Sequence, residues 1–133
     1  MKYEEISKMV IGCSFEVINE LGVGFLESVY EHALFLTLKE KGLSVKKQFP
    51  IKVMFRDHCV GEYYSDLLIE DKVIVELKAI KKLLPEHQAQ IINYLKATGI
   101  EVGLLINFGN SRLEYRRLSL KELTNPAHPV YPC

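Results

Sequence analysis

Residues 65–82, SDLLIEDKVIVELKAIKK, set Asp66, Glu76 and Lys78 among Leu, Ile and Val in the most strand-like stretch of the chain. Burying a charge in such company costs on the order of several kcal/mol unless it is paired or bound to metal. Strand alternation puts Val73, Val75 and Leu77 on one face and Ile74, Glu76 and Lys78 on the other. Where Asp66 falls depends on the turn. A two-residue loop, Glu70-Asp71, pairs Ile69 with Lys72 and sets Asp66 opposite Val75, away from Glu76. A three-residue loop, Glu70-Asp71-Lys72, pairs Ile69 with Val73 and sets Asp66 across from Glu76. Facing Cβ atoms there lie about 4.5–5.5 Å apart, where like charges repel. A divalent cation removes that repulsion, and hard oxygen ligands suit Mg²⁺ or Mn²⁺. The same letters also fit a plain Glu76–Lys78 salt bridge on a solvated face.

The elements that must position these residues follow from periodicity. Ile6, Met9, Val10, Cys13, Val17 and Leu21 recur at helical spacing over residues 3–20. LGVGF interrupts that helix, its Gly22 and Gly24 allowing a tight turn into a second one. This second helix, from Leu26 to about Lys41, is apolar on most of its circumference, which predicts deep burial; Gly42 stops it. Val45, Lys47, Phe49, Ile51, Val53 and Phe55 then alternate as one face of a strand, with Lys46, Gln48, Lys52 and Arg56 on the other. Pro50 marks it as an edge strand. RDH is a turn, and residues 59–69 and 73–79 are the next strands. Pro85 opens a helix that Gly99 closes. VGLLINF reads as a fully covered strand, and Arg112 to Leu118 alternates again. The order ααβββαββ implies a mixed sheet with helices on both faces, a single domain over residues 1–133 with a proline-rich tail at 119–133.

Composition limits the function. With 48% hydrophobic residues in 133, the chain can build a core. Its net charge is +0, so affinity for nucleic acid must come from a local patch. Lys81 and Lys82 beside the acids, and Arg112 and Arg116 on one face of the last strand, are candidates for phosphate contacts; a solvated charge run reads the same way. Three cysteines at unrelated spacings, with no Cys/His zinc pattern, predict free thiols in a reducing compartment. MKYEEISKMV lacks a signal peptide's basic start, and no apolar run nears the ~18 residues that cross a membrane. A cytoplasmic protein is expected.

Asp66, nine intervening residues, then Glu76-Leu77-Lys78 resemble the D…(D/E)xK signature of the PD-(D/E)xK nuclease superfamily. GFLESVY, with Gly24, Glu27 and Tyr30, resembles the motif that names its GxxExxY branch, and LLPEHQAQIINYLK follows in the family's order. The likeness runs from about residue 11 to residue 108; Ser65 stands where many members have proline. The resemblance implies a restriction-endonuclease-like α/β fold and a metal-dependent nuclease of low sequence specificity, acting on nucleic acid, DNA first. It implies that Asp66, Glu76, the Leu77 carbonyl and Glu27 hold Mg²⁺ or Mn²⁺, that Lys78 orients the attacking water, and that Gln90 steadies the lysine or the DNA backbone. Glu27 would equally serve as a helix N-terminal acid satisfying the dipole. Gln90 and Tyr94, four apart, share a helix face, and Tyr94 joins the nucleic-acid contacts; Gln88 points elsewhere and is the lesser alternative. A nucleic-acid-binding or complex-forming module that keeps the fold without useful turnover, as a homodimer or with a protein partner, is the competing expectation.

Overall fold

Helices α1 (Glu4–Leu21) and α2 (Glu27–Glu40) precede three strands, β1 (Val45–Phe55), β2 (His58–Ile69) and β3 (Val73–Lys78); α3 (Pro85–Thr98), β4 (Val102–Asn107) and β5 (Glu114–Ser119) complete the chain order. The structure, a computed structural model, describes residues 3–120. The expected tail lies outside the described residues from residue 121 on, with His128 and Cys133; Ser119 is the last residue of β5. The sheet runs β1-β2-β3-β4-β5, with β3 and β4 parallel and the other neighbours antiparallel. Pro50 lies on β1, the edge strand, the place in a sheet where a proline is tolerated.

Two apolar clusters cover the two faces. Leu67, Ile69, Val73, Val75, Leu77, Leu104 and Ile106 pack beneath α1 and α2. Leu68, Ile74, Leu105 and Leu118 pack beneath Ile91 and Leu95 of α3. Gly103 lets α3 lie this close, because a Cβ there would come 2.5 Å from Ile91 Cγ2. Among the described residues no helix is long and apolar enough to cross a membrane.

Three expectations need correction. The second helix is not deeply buried: Tyr30, Leu34 and Leu38 are covered, while Leu26, Val29 and Leu36 face outward. A single sheet face below it can cover only one stripe. The face assigned to β1 also breaks midway. Val45 belongs to the cluster under α1 and α2, but Phe49 and Ile51 belong to the cluster under α3. Gln48 adopts φ 51, and this left-handed step turns the following side chains to the opposite face. Finally, Arg112 precedes β5 rather than sharing its face with Arg116.

Candidate active site

The β2–β3 hairpin has the three-residue register, Ile69↔Val73, Leu68↔Ile74 and Leu67↔Val75. Glu70 and Asp71 take positive φ (53 and 57), and the Lys72 N–H donates to the Ile69 carbonyl at 2.9 Å. The next rung in that register is Asp66 and Glu76, where side chains take over from the ladder. The Asp66 N–H donates to Glu76 Oε1 at 2.8 Å, and the Leu77 N–H donates to Asp66 Oδ2 at 2.8 Å. Each acid thus bonds a backbone N–H across the hairpin at the point where the ladder ends, so the two carboxylates lie between β2 and β3.

Their electrostatics are strained. Glu76 is only 5% exposed. Burial, then the Asp66 charge, push its pKa up to about 8, against the Asp66 N–H and Lys78, with Glu27 adding a smaller rise. Glu27 is the first residue of α2; loss of water and then Asp66 raise its pKa, while Lys78 lowers it. Glu27, Asp66, Glu76 and Lys78 thus act on one another as one charge cluster.

The GxxExxY residues explain how Glu27 is delivered. Gly24 takes φ 109 in the turn between α1 and α2. The Tyr30 hydroxyl donates to the Gly22 carbonyl at 2.7 Å and accepts the Phe25 N–H at 3.2 Å. Its ring is fully buried, stacked on Phe108 at 5.0 Å. Tyr30 is a pin that fixes the loop entering α2, and with it the position of Glu27.

Sequence reasoning missed Glu31. It lies one turn after Glu27, accepts Gln48 Nε2 at 2.8 Å, and has Lys47 Nζ 4.0 Å away. Burial, the Asp66 charge and a hydrogen bond with Asp66 raise its pKa to about 7. The signal was present in the i, i+4 spacing of Glu27 and Glu31. Gln48 reaches Glu31 because of the same left-handed step that redirects β1.

On α3, Gln90 Nε2 donates to the Tyr94 hydroxyl at 3.0 Å. Tyr94 is pushed up to about 12 by burial and then by Glu76 and Asp66, so this helix face looks onto the acids. Lys81, Lys82, Arg112 and Arg116, scattered in sequence, line one concavity of about 690 Å³ with Asn110 and Tyr115. Arg116 pairs with Leu105, and Leu105 with Glu76, so Arg116 is two strands from Glu76 along one row. At one strand spacing each, that is about 10 Å. The loop after Lys78 is held by a buried strut the sequence did not announce. Asn107 accepts the Ile80 and Gly109 N–H groups and donates to the Ile80 carbonyl and Glu114. Glu114 accepts the Leu83 N–H, and Asn110 donates to the Lys81 carbonyl. Some loss of water pulls the Glu114 pKa up, but the bonds from Leu83 and Asn107 together hold it below its ordinary value.

The donor chemistry fits a hard divalent cation: carboxylates crowd Asp66 from α2 and β3, and Lys78 and Lys47 offset their repulsion only in part, since Glu27, Glu31 and Glu76 all keep raised pKa values. They do not yet converge, since among the described residues no three His, Cys, Asp or Glu side chains form a ready ligand cluster. Cys13 is buried, Cys59 is exposed, and both are free.

A family model described as the PD-(D/E)XK nuclease superfamily matches residues 4–118. Three solved chains match the fold. One, titled "Crystal structure of SSO0001", superposes with a TM-score of 0.54 at 18% identity, over 89% of this chain and 59% of that one. The chain thus spans about 59% of that protein's length, and the likeness speaks to fold alone. No curated protein matches the chain.

Proposed function

This chain belongs to the PD-(D/E)XK nuclease superfamily and has its restriction-endonuclease-like α/β fold, and from that premise we propose that it is a metal-dependent nuclease hydrolysing the DNA backbone with low sequence specificity. We assign it to the GxxExxY branch on Gly24, Glu27 and Tyr30. The observation that carries the reading is the Asp66–Glu76 pair, two acids bonded across the hairpin, one of them almost fully buried, with the Lys78 charge acting on Glu76.

Mg²⁺ or Mn²⁺ bound there supplies phosphate polarisation and a water of lowered pKa. The chain's part is to offer oxygen ligands from Asp66, Glu76, the Leu77 carbonyl and Glu27. Lys78, two residues beyond Glu76 on the same strand face, orients the water and offsets charge developing on the phosphate. Gln90, bonded to Tyr94, steadies Lys78 or the backbone from the α3 side. Lys81, Lys82, Arg112 and Arg116 hold flanking phosphates in their shared concavity.

A second reading has one observation behind it. Each of the two facing acids already caps a backbone N–H, and no ligand cluster is preformed among the described residues, which suits a binding module without useful turnover. Incubating the protein with plasmid and linear DNA in Mg²⁺, Mn²⁺ or EDTA separates the two. The nuclease reading expects metal-dependent cleavage that Asp66→Asn abolishes. Binding without cleavage selects the module, and neither binding nor cleavage of any nucleic acid rejects both.

A further inference from the structure

The β1–β2 hairpin runs past the sheet. Among the described residues, its rungs from Phe49↔Ser65 to Phe55↔His58 have no third strand beside them, because β2 pairs with β3 at residues 67–69. Between this arm and α3 lies a groove of about 780 Å³, with Val53, Met54 and Tyr63 on the arm and Ala89, Gln90 and Tyr94 on the helix. The Tyr63 ring is 6.0 Å from the Tyr94 ring at 44°, within the range of interacting aromatic pairs, and Tyr63 remains 49% exposed. Gly61, two residues back on the same strand face, leaves room for that ring: a Cβ there would meet Tyr63 Cε2 at 3.3 Å. The groove lies on the side of α3 that neighbours the acids: Gln90 and Tyr94 line it and are bonded to each other, and the charges of Glu76 and Asp66 act on Tyr94.

We propose that this groove receives an unpaired nucleobase of the substrate strand, stacked on Tyr63 beside the phosphodiester that Asp66 and Glu76 address. The inference rests on the nuclease reading and narrows its substrate to strands with unpaired bases. Its volume falls in the range of small-molecule sites, roughly 300–1,000 Å³. Its charged lining residues are one of each sign, Glu86 and Lys96, so it is not a track for phosphates. The cations collect instead in the concavity beside β5. A strand crossing the acids then has its phosphates toward β5 and a base toward the arm. A base within a duplex is stacked on both faces and enters such a slot only after unpairing.

The test measures anisotropy of a fluorescent single-stranded DNA oligonucleotide and of the same sequence as a duplex, with Ca²⁺ in place of Mg²⁺. Tyr63→Ala should weaken single-strand binding by about 5- to 150-fold, the range of one lost base–aromatic stack. Tyr63→Phe, which keeps the ring, should bind like wild type, and duplex affinity should not depend on residue 63. If Tyr63→Ala binds the single strand as tightly as wild type does, the groove inference is wrong while the nuclease reading stands. If Tyr63→Ala changes self-association in sedimentation but not oligonucleotide affinity, the groove belongs to a second copy of the chain and the inference is overturned. A wild-type protein that binds neither DNA form overturns both readings together.

Discussion

In metal-free buffer the stability of this protein should fall as pH rises from about 5 to about 8, and Glu76→Gln should remove much of that fall. The folded-state pKa of Glu76 is pushed up to about 8, by burial first and by Asp66 second. Between the ordinary glutamate value and that raised one, the native state keeps a proton that the unfolded chain has released. Stability from this group is therefore complete below the unfolded value, declines across the window, and levels off above about 8. One proton corresponds to about 1.4 kcal/mol per pH unit. For a domain of this size that is roughly 5 °C in Tm for each unit within the window. Glu31, raised to about 7, adds to the decline in the same direction, so the wild-type-minus-Glu76→Gln difference is the quantity to read. Asp66→Asn should flatten the curve only in part, because burial remains. The assay is thermal denaturation by circular dichroism in EDTA from pH 5.5 to 8.5, repeated with Mg²⁺. Cation binding to the ionised acids should restore Tm at the alkaline end, by about 2.7 kcal/mol at a hundredfold excess over Kd, and hardly at all in Asp66→Asn. Parallel wild-type and Glu76→Gln curves would refute the reasoning, since Glu76 would then be ionising as it does in water.

Lys78→Ala should nearly abolish cleavage and leave metal-dependent DNA binding in place, because the lost interaction belongs to the transition state; single-turnover rates beside binding isotherms check it. Arg116→Ala and Lys82→Ala should each weaken DNA binding and lower the slope of log K against log salt by about 0.7–0.9, read from titrations at several salt concentrations. Tyr30→Phe removes the hydroxyl bridging Gly22 and Phe25 and should cost about 1–3 kcal/mol in denaturant unfolding, with a higher Mg²⁺ midpoint because Glu27 loses its anchor.

Periodicity was enough to locate the helices and strands, because local stops punctuate the pattern: Gly22 and Gly24 after α1, Gly42 after α2, Gly99 after α3, and positive-φ residues in both hairpin turns. Pro50 predicted an edge strand for a local reason, the missing N–H, and β1 is that edge. What local pattern could not carry was the phase of β1. Its alternating letters continue through Gln48, and only the backbone step there sends Val45 and Ile51 to opposite faces. Burial of α2 failed similarly, since an apolar surface is covered only where another element lies against it.

The site divides along the same line. The types Asp66, Glu76 and Lys78, and the fact that Glu76 and Lys78 project together, are properties of sequence and strand geometry. Two turns were compatible with that sequence, and the hairpin register decided between them by setting Asp66 across from Glu76. The crowding of Glu27 and Glu31 against Asp66, and the gathering of Lys81, Lys82, Arg112 and Arg116 into one concavity, required α2 and β5 to dock. Residues far apart along the chain interact through distances that only packing sets. A carboxylate's pKa depends on the water and charge around it, so the sequence determined which groups ionise and the tertiary structure decided at what pH.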